Sequence, residues 1–256
     1  MTATRPATAP QPSAARPGFT LVELLAVIMI IAVLAALLTP AVMRARTAAR
    51  NAAIKAEIDM LHMAMMNYKN EYGSFPPATD VAGAASGRVA KHIVRLFPRC
   101  LNVAAELENA TAITPQNAMV SWLLGYTDDP RSPLIGGQRK KLYDFDQSRL
   151  TGGRYHPAGK SGSPYIYIDA ASYGAFPYAN GDLAQPGAQR VPMSPPPTGT
   201  AIDFATSIPP PTNSPPFLNP DTFQILCAGL DETFGTDDDL SNCWPGTRKE
   251  YLDSLK

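Results

Sequence analysis

The sequence predicts an α+β fold: a long N-terminal helix, part apolar enough for a membrane and part amphipathic, packed on a small antiparallel sheet with long irregular loops. Three observations predict it. From Phe19 to Tyr72 only Pro40 interrupts a run compatible with helix. Tyr165 to Asp169 (YIYID) and Phe223 to Cys227 (FQILC) are short stretches rich in aromatic and β-branched residues, the composition of strands. The chain also holds 26 prolines in 256 residues, and they cluster, which predicts irregular segments instead of a regular body.

The first 18 residues are polar, rich in Pro, Ala and Thr, and carry Arg5 and Arg16 without periodicity, so they are expected to be disordered. The character changes after Gly18. Phe19 to Thr39 is a run of 21 residues whose single charge is Glu23. As a helix such a run spans about 30 Å, the thickness of a bilayer core. Arg44, Arg46 and Arg50 follow at the expected water boundary.

Three readings of this segment compete. A secretory signal peptide accounts for the charges and the apolar run, but the run is long and a carboxylate sits just inside it. A plain membrane anchor accounts for the length. It leaves Glu23 unexplained, because a carboxylate in hydrocarbon costs about 2.5–3.5 kcal/mol and normally marks a function. The third reading explains both the abrupt border and the carboxylate. Gly18-Phe19-Thr20-Leu21-Val22-Glu23-Leu24-Leu25 resembles the processing site of type IV prepilins and type II secretion pseudopilins. The resemblance implies that a membrane peptidase cuts after Gly18 and that the new N-terminal Phe19 is methylated. It also implies that Glu23 pairs with the N-terminal amine of a neighbouring subunit. Both charges would then leave the lipid as a pair, and the pairing would set the assembly register. Pro40 fits the same pattern. The positive-inside rule points the other way, since Arg44, Arg46 and Arg50 outnumber Arg5 and Arg16, whereas the resemblance implies that the residues after the apolar run lie outside the cytoplasm.

Beyond Pro40 the apolar residues Ile54, Ile58, Leu61, Met65, Tyr68 and Tyr72 recur at alternating spacings of four and three, an amphipathic stripe expected to face a core. Lys55, Glu57, Asp59, Lys69 and Glu71 are read as lying off that stripe, and Met60, Met63, Met65 and Met66 as core gap-fillers. Gly73 and Phe75-Pro76-Pro77 end the helix. The segment NYKNEYGSFPP resembles the end of a pseudopilin stalk helix. Short helices are expected at Val89 to Phe97 and at Ala118 to Tyr126, the second closed by Gly125, and a further strand at Leu142 to Phe145. The expected organisation is a leader at 1–18, a membrane and assembly helix at 19–40, an amphipathic stalk at 41–77 and a pilin-like globular domain at 78–256. Residues 186–220 hold eleven prolines and read as a surface loop with polyproline character or a ligand for a proline-reading module.

Five acids, Asp231, Glu232, Asp237, Asp238 and Asp239, fall within nine residues near the C-terminus. Calcium takes six to eight oxygens, and carboxylates with backbone carbonyls supply them. The segment is no EF-hand: counted from Asp237, the sixth and twelfth positions are Asn242 and Arg248. It resembles the calcium loop of major pseudopilins. That resemblance implies Asp231, Asp238 and Asp239 as side-chain ligands, Asp237 as a further candidate and Leu230 as a carbonyl donor, in a structural site. Glu232 departs from the pattern, standing where glycine is usual.

Twenty-two acids balance 22 bases, so no basic excess supplies a sequence-independent affinity for nucleic acid. Cys100, Cys227 and Cys243 form no disulfide framework; Cys227 and Cys243 pair across the acidic loop or all three are separate thiols. His62, His92 and His156 are scattered, and no H-E-x-x-H or G-x-S-x-G occurs, so no enzyme is expected. The resemblance implies a pseudopilin of a type II secretion filament. Its partners would be further copies and other pseudopilins, a prepilin peptidase and an inner-membrane assembly platform. The chain would cross the inner membrane once, with its C-terminal domain in the periplasm. The alternatives are a type IV pilin for adhesion, motility or DNA uptake and, in another class, a membrane-anchored periplasmic binding protein or enzyme.

Overall fold

The computed structural model describes residues 19–79, 87–100, 102–103, 105–106, 113–159, 162–172, 218–219 and 221–254. The leader through Gly18 and nearly all of the proline-rich stretch 186–220 lie outside the described residues. The chain divides into two compact units, Met1–Ala48 and Ala49–Lys256. Helix α1, Leu21–Tyr72, begins in the first and ends in the second, with Pro40 inside it.

In the first unit the described part of α1 is exposed throughout, and it is the one described helix long and apolar enough to cross a membrane. Its large apolar side chains, among them Leu25, Ile28, Ile31 and Leu34, are exposed. That is the surface of an element whose solvent is lipid or another helix.

In the second unit α1 buries Ile54, Ile58, Leu61, Ala64, Met65 and Tyr68, with Tyr72 half-buried, as the four-and-three spacing predicts. The methionines divide: Met65 is fully buried and Met66 half-buried, but Met60 and Met63 are exposed and fill no core gap. The helix stops at Gly73, whose φ of 79° is the left-handed C-cap geometry, and its N–H donates to Lys69 O at 2.7 Å.

The buried face of α1 packs in one core with α2 (Arg88–Leu96), α3 (Ala118–Leu123) and the described strands. Strands β1 (Leu150–Thr151) and β2 (Arg154–Tyr155) form a hairpin across Gly152 and Gly153, both at positive φ, the requirement of a two-residue type I′ turn. Strands β3 (Ile166–Asp169), β4 (Phe223–Cys227) and β5 (Leu240–Ser241) form an antiparallel sheet in that order. Alternation along β3 and β4 separates two apolar faces. Tyr167, Phe223, Ile225 and Cys227 join the core with α1, while Ile166, Ile168 and Leu226 pack with Phe234 and Trp244. Both faces of the sheet are therefore covered, and every residue of β3 and β4 is buried. The last helix, α4 (Arg248–Ser254), follows β5.

Two further expectations need correction. Leu142 to Phe145 is no strand: the N–H groups of Leu142 and Tyr143 both donate to Leu123 O, so the segment is tied to the end of α3 instead of a sheet. The second short helix ends at Leu123, two residues before Gly125 turns the chain at φ 75°. Of the two cysteine readings the sequence leaves open, the structure has separate thiols: Cys100, Cys227 and Cys243 are all free, Cys227 buried and the other two half-buried.

Candidate functional site

The first predicted site is the start of α1. Phe19 is exposed, and Gly18 lies outside the described residues. Thr20 and Glu23 close a reciprocal pair. The Thr20 N–H and hydroxyl donate to Glu23 Oε2 at 2.9 and 2.7 Å, and the Glu23 N–H donates to Thr20 Oγ1 at 3.2 Å. This is a capping box, which satisfies N–H groups that no earlier helical carbonyl can reach. Its sequence signal is T-x-x-E, Thr20 to Glu23, directly before an apolar run, which the sequence reading did not use. The box holds the carboxylate four residues from Phe19, with both Thr20 donors on Oε2.

The second predicted site is the acidic loop between β4 and β5. Its turns need residues at positive φ: Gly229 at 61° and Glu232 at 60°. A Cβ at Gly229 would lie 2.4 Å from Asp238 O and 2.5 Å from its Oδ2, so only glycine lets the loop close there. Glu232, the departure from the expected glycine, takes the glycine-like conformation regardless, at a cost of about 1–2 kcal/mol. The N–H groups of Leu230 and Asp231 donate to Asp238 Oδ2 at 2.6 and 3.1 Å, and the Thr236 hydroxyl donates to Oδ1 at 2.7 Å. Asp231 Oδ1 accepts the Thr233 N–H at 2.8 Å. Asp239 Oδ2 accepts the Gly235 N–H at 2.7 Å, and Asp239 Oδ1 is buried with no hydrogen-bond partner. Asp237 is exposed, and its backbone carbonyl accepts the Lys249 N–H of α4.

The loop thus brings Leu230, Asp231 and Asp238 together and buries Asp239 beside Gly235. Burial, reinforced by Asp238 and Asp231, pushes the Asp239 carboxyl up to about 8, against the pull of the Gly235 N–H and Arg248. The buried Arg248 places Nη1 3.4 Å from the carbonyls of Gly235 and Thr236. Among the described residues no three His, Cys, Asp or Glu side chains are grouped to hold a metal ion. The Asp231 and Asp238 oxygens that face the loop accept its own donors, and Asp239 Oδ1 is the one buried loop carboxylate oxygen left without one among the described residues.

A third cluster was not predicted. Glu57, read as lying off the apolar stripe, is buried within it. Arg149 donates to it twice, Nη1 to Oε1 at 2.7 Å and Nη2 to Oε2 at 2.5 Å, and the hydroxyls of Tyr155 and Tyr165 donate at 2.8 and 2.5 Å. Burial works to raise the Glu57 carboxyl, but these donors overcome it and hold it below the ordinary carboxylate range. Deeper still, the Tyr68 hydroxyl meets His92 Nε2 at 2.8 Å and also contacts the Tyr126 hydroxyl. Burial, then Arg95, drives His92 down to about 4. These groups fasten α1 to the rest of its unit.

The family described as the prokaryotic N-terminal methylation motif matches residues 14–39. No curated protein and no solved structure matches the chain. The matched segment covers the Gly18 border, Phe19, the capping box and the apolar part of α1. It implies processing by a prepilin peptidase and assembly with other filament subunits, and with one apolar helix it fits a single-pass membrane anchor. The chain therefore carries at its N-terminus the signature of the type IV pilins and pseudopilins.

Proposed function

We propose that this chain is a pseudopilin, a structural subunit of a type II secretion filament, anchored in the inner membrane with its second unit in the periplasm. A prepilin peptidase cuts behind Gly18, Phe19 becomes the methylated N-terminus, and Glu23 neutralises the amine of the next copy. Other pseudopilins and an inner-membrane platform are its partners. The observation that carries assembly is Glu23 itself, a carboxylate in the first turn of α1, the single charge between Phe19 and Met43, and within the methylation motif. In lipid that group is costly until a cation meets it.

Two features favour export over a surface pilus. Surface pili often carry a C-terminal disulfide loop, and the cysteines flanking this acidic loop are free. The loop also leaves Asp239 Oδ1 buried without a donor. In this reading calcium binds there, held by Asp239, Asp238 and Asp231, with Asp237 and the Leu230 carbonyl as further donors. It supplies positive charge to a buried oxygen and staples the C-terminal strands. The role is structural, and no reaction is assigned to the chain.

The test is the N-terminus and mass of the protein extracted from its native membrane, followed by deletion of the chain. A methylated Phe19 and loss of protein export with surface pili intact support the proposal. A chain that starts at Met1, or deletion that removes pili and leaves export unchanged, overturns it.

A further inference from the structure

Arg88, Lys91, His92 and Arg95 share one face of α2, because positions three, four and seven apart on a helix line up. Val89 and Ile93 turn the other face into the core. The basic face forms one wall of a cleft of about 430 Å³. Phe75, Pro77, Ala170 and Ala171 give the cleft an apolar part, and two acids, Asp169 and Asp221, also line it.

The arginines of this wall are held in place. Arg88 Nη1 donates to Ser172 Oγ at 2.5 Å and Nη2 to Asp169 Oδ2. Asp169 Oδ1 accepts the Ala78 N–H at 2.8 Å and the Ser172 hydroxyl, so its charge is spent on Arg88 and on neutral donors. Arg95 Nη2 donates to Ser74 Oγ and, at 3.2 Å, to His92 Nδ1. A guanidinium only donates, so the ring proton of His92 sits on Nε2 and goes to the Tyr68 hydroxyl at 2.8 Å. The buried network thus orients Arg95 from the core side. Lys91 and Arg95 are exposed, and neither has an acidic partner among the described residues.

Two unspent cations beside an apolar floor select an oxyanion attached to an apolar group. A nucleic-acid strand needs a long positive track, whereas α2 is nine residues long and Asp221 stands in the same cleft. A small free acid needs a site that encloses most of its surface, and here Lys91, Arg95 and Asp221 are all open to water. A protein segment meets both conditions, because the rest of its contacts lie outside the cleft. We propose that this cleft binds an acidic segment of a partner protein. Lys91 and Arg95 take its carboxylates, and Phe75, Pro77, Ala170 and Ala171 seat an adjoining apolar side chain. The site is independent of the filament reading.

Fluorescence anisotropy of the detergent-extracted full chain with a labelled peptide of alternating Glu and Leu tests this. The Glu peptide should bind, and the same peptide with Gln for Glu should not. Lys91→Glu should weaken binding about tenfold or more, and Asp221→Asn should tighten it, a gain that damage to the fold cannot produce. Lys249→Glu, which reverses an exposed charge on α4, should change nothing. No binding of the Glu peptide at millimolar concentration, unchanged binding in Lys91→Glu or in Asp221→Asn, or equal weakening by Lys249→Glu overturns the proposal. Displacement of the peptide by an equal concentration of glutarate would make this a small-acid site, and tighter binding of a single-stranded oligonucleotide would make it a nucleic-acid site; either result also overturns it.

Discussion

Glu57 of α1 and Arg149, 92 residues later in the chain, form a two-point ion pair inside the second unit. Both carboxylate oxygens also accept a tyrosine hydroxyl, from Tyr155 and Tyr165, and the guanidinium donates further to His156 O. A buried pair of this kind stabilises little against an apolar replacement of both partners, but losing one partner strands the other. Its role here is registration: it fixes which turn of α1 meets the β1–β2 hairpin.

Replacing Glu57 with Gln therefore strands the Arg149 charge and should lower the stability of a fragment from residue 45 onwards by about 3–5 kcal/mol. The folded carboxyl is held below its ordinary value, so the stabilisation is present above pH about 4.3 and is lost as pH falls through the lower folded value. Urea melts of both proteins at pH 7 and pH 3 measure this. A difference under 1 kcal/mol at pH 7 would show that the pair is incidental.

His92 governs a different pH window. Its folded value of about 4 lies below the ordinary 6.5, because burial and the nearby Arg95 disfavour the charged ring. The unfolded chain binds the proton first, so stability contributed by the neutral ring is present above pH 6.5 and declines as pH falls toward 4. The whole shift corresponds to about 3 kcal/mol. His62 and His156 are lowered too, so the informative quantity is the difference between the native chain and His92→Gln across pH 7 to 4. Parallel curves would refute the assignment.

The stripe from Ile54 to Tyr72 was legible because helix packing imposes its period on apolar residues directly, and FQILC matches β4 residue for residue. Glu57 was not legible, since its burial depends on Arg149, Tyr155 and Tyr165 arriving from distant positions. Leu142 to Phe145 has strand composition, but Leu123 O captures its amides before any strand can. Strands of two residues, such as β5, carry too little pattern to be seen, although Gly152-Gly153 was a usable hairpin signal. At the site, the acids could be named from sequence, but which oxygen would stay without a donor required coordinates.

Glu23→Ala should leave the second unit folded and abolish filament assembly, because α1 would no longer present a carboxylate to the incoming amine. Thr20→Val keeps the carboxylate and removes one of its two donors. It should weaken the helix start and leave assembly measurable. Sedimentation of filaments, alongside circular dichroism of the detergent-extracted subunit, separates the two effects. Normal filaments from Glu23→Ala would remove the assembly role.

The acidic loop gives the sharpest test of the calcium proposal. A cation bound only to the folded loop stabilises it by mass action, about 2.7 kcal/mol when free calcium exceeds its dissociation constant a hundredfold. A chelator should then lower the melting temperature of the fragment from residue 45, and calcium added back should restore it. Asp239→Asn separates metal binding from simple burial. It replaces a buried carboxyl, whose burial disfavours the charged form, with a neutral amide while keeping an oxygen in place, so in chelator it should be no less stable than the native fragment. In calcium it should lose the rise in melting temperature. Equal melting temperatures for the native fragment with chelator and with calcium would leave Arg248, at the Gly235 and Thr236 carbonyls, as the cation that closes the loop.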